Sequence, residues 1–103
     1  MKGEIIVSKV GQHKEGFESI RIDRKTIFGN PFFMTNESYR DTVCDRFAKY
    51  FEDSVSKPKS ELRKELIKVF IKVREGENIN LQCHCAPKRC HGDEIKKFIE
   101  RHL

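Results

Sequence analysis

The sequence predicts a small α/β protein, with a three- or four-stranded mixed sheet and helices packed on it. Residues 4–10, 17–23 and 79–83 are short segments that are rich in β-branched residues or alternate apolar with polar ones, which is typical of strands. Two longer segments repeat apolar residues every three or four positions, which indicates amphipathic helices. With a short helix after the last strand, the predicted element order is ββααβα.

The first two strands are separated by residues 11–16, a short polar segment that begins and ends with glycine. This short connection predicts an antiparallel hairpin. If the third strand runs parallel to an earlier one, the loop that follows it lies at the carboxyl end of the sheet. Open α/β sheets bind their ligands there.

The two central helices have recognisable ends. Thr35 or Asn36 can cap a helix that runs to about residue 55, and Ser60 can cap a second helix that stops at Gly76. The last helix is predicted from residue 93 to residue 103. The apolar face of the first helix is expected to contain Tyr39, Val43, Phe47, Tyr50 and Phe51.

Length and composition indicate one domain over residues 1–103, because the chain has 103 residues, is 37% hydrophobic and contains no low-complexity run. No apolar stretch is long enough to span a membrane, and the N-terminus does not resemble a signal peptide, so we expect a cytoplasmic protein. The formal charge of +5 favours anionic partners such as phosphate, a nucleotide or nucleic acid. Nucleic acid is the less favoured of these, since charges of both signs are interspersed.

Three of the four cysteines, Cys83, Cys85 and Cys90, fall within eight residues, and this cluster is the main anomaly of the sequence. Cys44 lies alone in a predicted helix, where a buried thiol is the ordinary outcome. In a reducing compartment, four cysteines do not indicate a disulfide framework.

The segment from Cys83 to Asp93 joins the last strand to the last helix. A helix that begins near Gly92 directs its unpaired N–H groups toward Cys90 and His91, which favours a thiolate there. The same position favours binding of a phosphate. Gly92 would allow a close backbone approach, Asp93 suits a first helical turn, and Pro87 is expected to stiffen the loop.

Three interpretations of this loop compete. In the first, it is a metal-free catalytic or ligand site, with Cys90 or Cys83 as nucleophile and His91 or His84 as acid or base. In the second, zinc is held by Cys83, Cys85, Cys90 and His91; the residue types fit, but the spacing is poor for a closed site. In the third, the cysteines are small buried residues at a crowded junction. We favour the first interpretation. A disulfide between Cys90 and either Cys83 or Cys85 is a variant of it.

Residues 21–32 form a second candidate element. Arg24 is suited to bidentate recognition of phosphate or carboxylate. Asn30 can donate and accept hydrogen bonds, and Phe28 and Phe32 offer flat apolar surface. The ordinary alternative is a surface turn with core aromatics. Arg40 lies early in a helix, where a cation is slightly unfavourable, and we expect it to pair with Asp41, Asp45 or a ligand anion.

Two separated motifs together resemble domain-of-unknown-function family 4326, which is found in bacteria and bacteriophages. They are the Gly-Asn-Pro-Phe turn at Gly29–Phe32, followed by Arg40, and the Cys-x-Cys-Ala-Pro-x-x-Cys-His-Gly-Asp run at 83–93. The family pattern usually has an aromatic residue where this chain has His84, and a glycine where it has Asp23. The resemblance supplies no reaction, but it implies that the two motifs form one functional unit. We expect the protein in the cytoplasm of a bacterium or of a phage-infected host.

We therefore expect one site that binds a phosphate-bearing small molecule, such as a nucleotide. Arg24 and the start of the last helix, at Gly92 and Asp93, would hold the anion, and Asn30 would orient it. Cys90 with His91 would be the reactive pair, and Cys83 is a further catalytic candidate. The remaining candidate ligand-binding residues are Gly29, Phe32 and Arg40. The alternative is a zinc-stabilised binding module for nucleic acid or a partner protein. A plain nucleic-acid binder that uses the +5 charge is a third class.

Overall fold

A computed structural model describes residues 1–32, 34–86 and 88–103. These residues form strands β1 (Ile5–Lys9), β2 (Phe17–Arg21) and β3 (Asn78–Cys83), and helices α1 (Arg40–Ser56), α2 (Glu61–Arg74) and α3 (His91–Arg101). A 3-10 turn at Glu37–Tyr39 precedes α1. The α/β class and the element order ββααβα are confirmed. No helix among the described residues is both long and apolar enough to cross a membrane.

The three strands are parallel and lie in the order β1-β3-β2. The predicted antiparallel hairpin is therefore wrong, and the sheet is parallel rather than mixed. Strand β3 lies between the two strands that are neighbours in the sequence. Residues 10–16 consequently run back across one face of the sheet, where the carbonyl of Gln12 accepts hydrogen bonds from the side chains of Asn80 (2.9 Å) and Gln82 (2.6 Å).

The opposite face of the sheet is apolar and carries the helices. Ile79, Leu81 and Cys83 alternate along β3 on this face and are almost fully buried. Helices α2 and α3 contact the sheet, while α1 packs against both of these helices. Phe47 and Phe51 of α1 complete the core from outside.

Polar side chains cap the starts of the 3-10 turn and of α2. Asn36 caps the 3-10 turn by accepting the Ser38 N–H, and Ser60 caps α2 by accepting the Arg63 N–H, as predicted. Helix α3 begins at His91, two residues earlier than predicted, so this histidine lies in a helical first turn. Tyr39 is 54% exposed, because it ends the 3-10 turn and does not belong to the buried face of α1.

Candidate functional site

The segments that follow β2 and β3 meet at the carboxyl end of the sheet. A hydrogen bond joins His91, at the start of α3, to the carbonyl of Ile22, just after β2. Nearby, Arg40 of α1 donates from Nη1 to the carbonyl of Arg89 at 2.8 Å. These two contacts tie the loop after β2, the start of α1 and the cysteine loop into one unit.

A cavity of about 320 Å³ lies between these three segments. It brings together most of the residues that the sequence predicted for the site. Its lining comprises Asp23, Arg24, Lys25, Asn30, Phe32 and Met34 from the first loop, Arg40, Val43 and Cys44 from α1, and His84, Cys85, Arg89, Cys90 and His91 from the second loop and α3. Two wider grooves, of about 750 and 710 Å³, lie between the helices, and the described residues that line them include no cysteine.

Arg24 and Asn30 build the loop that forms one wall of the cavity. The Arg24 guanidinium donates to the carbonyls of Asn30 (3.1 Å) and Phe32 (3.0 Å). The Asn30 side-chain oxygen accepts the Phe32 N–H at 2.9 Å. The half-buried Phe32 ring meets Tyr50 edge-on, and Phe28 is a core residue.

Gly29 and Gly92 allow close packing within the protein. A Cβ atom on Gly29 would lie 2.6 Å from the Cα of Arg24, and one on Gly92 would lie 2.8 Å from the Cδ1 of Ile22 and 2.9 Å from a Val7 methyl. Gly92 is buried between α3 and the sheet. Close approach was predicted for Gly92 and occurs at both glycines, and in this structure the approaching atoms are protein atoms.

Arg40, at the start of α1, has a different partner from those expected. Arg40 pairs with Glu37, at 2.6 and 2.8 Å, and not with Asp41 or Asp45. Both aspartates instead pair with Arg89, which also binds Glu94. Hydrogen bonds from Arg40 and then Lys88 lower the pKa of Glu37 to about 2. Arg89 thereby links α1 to α3.

The thiols of Cys83 and Cys90 lie side by side, with their Sγ atoms 2.7 Å apart, and both are free and buried. The hydrogen bond from Cys90, followed by backbone N–H groups of Cys85 and Ala86, lowers the pKa of Cys83 to about 6 against the cost of burial. The same contact raises the pKa of Cys90, and burial adds to that rise. The lowered pKa thus falls on Cys83, whereas the sequence favoured a thiolate at Cys90.

The other two cysteines differ from this pair. Cys44 is buried in α1 as predicted, and burial raises its pKa. Cys85 is partly exposed and lies within hydrogen-bonding range of the Arg40 guanidinium. Asp93 accepts the Cys90 N–H at 3.1 Å and so caps α3. The predicted effect of Pro87 falls outside the described residues.

His91 is a buried, neutral imidazole. Burial lowers its pKa, and this effect outweighs the hydrogen bond to the Ile22 carbonyl. Because a carbonyl only accepts, Nε2 must carry the proton and Nδ1 remains an acceptor. The ring packs edge-on against Phe47, at 5.1 Å between centroids. Among the described residues, no hydrogen bond joins Cys90 to either His91 or His84.

Asp23 lines this cavity but was not predicted from the sequence to belong to the site. It is only 5% exposed, and its Oδ2 contacts Arg21 and His84, the latter at 3.2 Å. Burial raises the pKa of Asp23, but the hydrogen bonds from Arg21 and His84 outweigh it and hold that pKa below its usual value. A carboxylate directly after an apolar residue at a strand's carboxyl end was the available signal. Asp23 and His84 thus connect the two candidate loops.

The zinc interpretation is not reproduced as a preformed cluster. Across the parts of the chain that the structure describes, no group of three or more histidine, cysteine or acidic side chains is arranged to hold a metal ion. Cys83 and Cys90 contact each other, whereas Cys85 lies beside Arg40.

Comparison with known proteins gives a family and no function. No curated protein matches the chain, and no solved structure does. The model of one family matches residues 7–101, which is nearly the whole chain and includes both candidate loops. The chain therefore belongs to the family described as domain of unknown function DUF4326.

Proposed function

We propose that the cavity between the two loops binds a phosphate-bearing small molecule of mononucleotide size. The observation that carries this proposal is the composition of one cavity at the carboxyl ends of β2 and β3. It combines cationic side chains, an apolar wall and buried hydrogen-bonding groups. Ligand sites in parallel α/β sheets lie at this edge.

The phosphate belongs at the Arg24–Lys25 end of the cavity. Lys25 is exposed and forms no ion pair with any described residue, so it can offer its charge to a ligand. The start of α3 is less suited than the sequence suggested, because the Asp93 carboxylate already caps it. Glu37 offsets the charge of Arg40.

The apolar part of the ligand belongs against Phe32, Met34 and Val43. These side chains line the cavity and are only partly buried, so they can pack on a flat ring. A volume of about 320 Å³ lies at the lower end of the range of about 300–1,000 Å³ that is usual for ligand sites. The size suits one nucleotide and is too small for a dinucleotide cofactor.

Calorimetric titration with the 5′-monophosphates of adenosine, guanosine, cytidine and uridine tests this proposal, with inorganic phosphate as a second probe. We expect at least one nucleotide to bind with one-to-one stoichiometry. Lys25→Ala should weaken that binding about tenfold, the equivalent of about 1.4 kcal/mol. The matched control is Lys59→Ala, which removes an exposed lysine outside the cavity. No binding, or equal weakening by both variants, contradicts the proposal.

The same preparation tests the two other classes. Stoichiometric zinc whose removal unfolds the protein would support a zinc-stabilised binding module. Binding to nucleic acid of any sequence that disappears at moderate salt would reflect only the +5 charge.

A further inference from the structure

We propose that the ligand is a ribonucleotide and that Asp23 and His91 accept hydrogen bonds from its two vicinal ribose hydroxyls. This inference rests on the proposed function and adds the sugar to it. Both residues line the same cavity as its cationic side chains, and each has a hydrogen-bond acceptor.

The first observation is an unsatisfied carboxylate oxygen. Asp23 lines the cavity and is 5% exposed, and its Oδ1 has no hydrogen-bond donor among the described residues. Its other oxygen is held by Arg21 and His84. A buried acceptor without a donor is costly, and in native proteins it usually indicates a missing water or ligand. A ligand group at this point must therefore donate.

The second observation is the tautomer of His91. Its Nε2–H is used by the Ile22 carbonyl, so the other ring nitrogen carries a lone pair. The ring lines the same cavity as Asp23. Ile22 positions both residues, because Asp23 follows it directly in the chain and His91 donates a hydrogen bond to its carbonyl.

Two neighbouring acceptors, one of them negatively charged, select a ligand group with two adjacent donors and no negative charge. A vicinal diol meets this requirement, because each hydroxyl can donate one hydrogen bond. In a nucleotide the ribose diol is separated from the phosphate by the sugar ring. When the phosphate lies at Arg24 and Lys25, the diol therefore lies at the buried wall of the cavity, which contains Asp23 and His91.

The test compares each ribonucleoside monophosphate with its 2′-deoxy counterpart by calorimetry on the native protein. We expect the ribonucleotide to bind about tenfold to a hundredfold more tightly, which is the range for hydrogen bonds to charged groups. Equal binding of the two would overturn the ribose assignment and leave the proposed function standing. If neither nucleotide binds, both fail. Because this comparison varies only the ligand, it does not depend on any variant folding.

Asp23→Asn adds a second, independent arm. Arg21 donates to the Oδ2 position, so the amide oxygen should take that place and direct its NH₂ group to the Oδ1 position. The orphan acceptor then becomes a donor. With Asp23 bound to the 2′ hydroxyl and His91 to the 3′ hydroxyl, we expect ribonucleotide binding to fall to the level of the deoxynucleotide, with deoxynucleotide binding unchanged. Asp53→Asn, at an exposed carboxylate outside the cavity, is the matched control and should keep the preference. A preference retained in Asp23→Asn overturns the role of Asp23.

Discussion

His91 donates its Nε2 proton to the carbonyl of Ile22, and this bond connects the start of α3 to the segment that follows β2. The two residues are 69 positions apart in the chain. The contact fixes Nε2 as the nitrogen that carries the proton, so Nδ1 is an acceptor as long as the ring is neutral. A protonated ring would lose that acceptor, because both of its nitrogens would then be donors.

Stability should fall as the pH falls below about 6.5, the ordinary pKa of histidine. Burial lowers the pKa of His91 in the folded state, so the unfolded chain binds a proton first and the free energy of unfolding decreases toward acid. The slope contributed by one such group is at most about 1.4 kcal/mol per pH unit. Urea denaturation between about pH 7 and about pH 5 measures it. His91→Gln should flatten this slope, whereas His13→Gln, at an exposed histidine, should not.

The Cys83–Cys90 pair should produce a thiolate that titrates near pH 6. Thiolate ultraviolet absorbance, followed against pH, measures this step. Cys90→Ala removes the hydrogen bond that is the largest cause of the lowered pKa, so the midpoint should rise toward 9.0. Cys44→Ala removes a buried thiol outside the pair and should leave the step in place. A native protein without a thiolate near pH 6 would contradict the lowered pKa of Cys83.

The same pair affects stability in a different pH window. Because the pKa of Cys83 is lowered from 9.0 to about 6, the unfolded thiol holds its proton over that interval while the folded one does not. The free energy of unfolding should therefore rise with pH between those two values. Cys83→Ser should remove this rise, and the His91 slope at lower pH should remain.

Gly92→Ala should destabilise the fold by about 1–3 kcal/mol, because the added methyl overlaps the side chains of Ile22 and Val7. A double-mutant cycle isolates this clash. Ile22→Val removes the Cδ1 atom that would lie 2.8 Å from the new methyl carbon, so it should cost less in the Gly92→Ala background than alone. Additive effects of the two substitutions would show that Gly92 is needed for another reason.

Arg89 should stabilise the protein mainly through Glu94. The Glu94 side chain is 11% exposed and that of Asp41 is 82% exposed, so water screens the second pair far more than the first. Glu94→Gln should therefore cost about 1–2 kcal/mol and Asp41→Asn at most about 0.5 kcal/mol. Denaturation of both variants in low and high salt checks this difference. Equal costs would contradict the assignment.

Much of the fold was predictable because its signals are local. Ser60 caps α2 through the Arg63 N–H, as its position in the sequence indicated. Strand pairing was not predictable in the same way. A seven-residue connection between β1 and β2 indicates a hairpin unless a distant strand separates them, and β3 is such a strand.

The candidate site was likewise predictable where its signals are local and not where they depend on long-range contacts. Its two loops carry motifs, so Asn30 and Cys90 could be placed in the site from the sequence, and both line one cavity. Asp23 has only a weak local signal, and its contact with His84 joins positions 61 residues apart. Its unsatisfied oxygen becomes visible only when the burial of that carboxylate is known.

The most direct test of the central claim is nuclear magnetic resonance mapping of a titration with a ribonucleoside 5′-monophosphate. We expect the largest shifts at Asn30, His84 and His91, which line the cavity between the two loops. Shifts centred on Leu66 and Ile67, in the groove between the helices, would contradict the account. So would a spectrum that does not change with any of the four nucleotides.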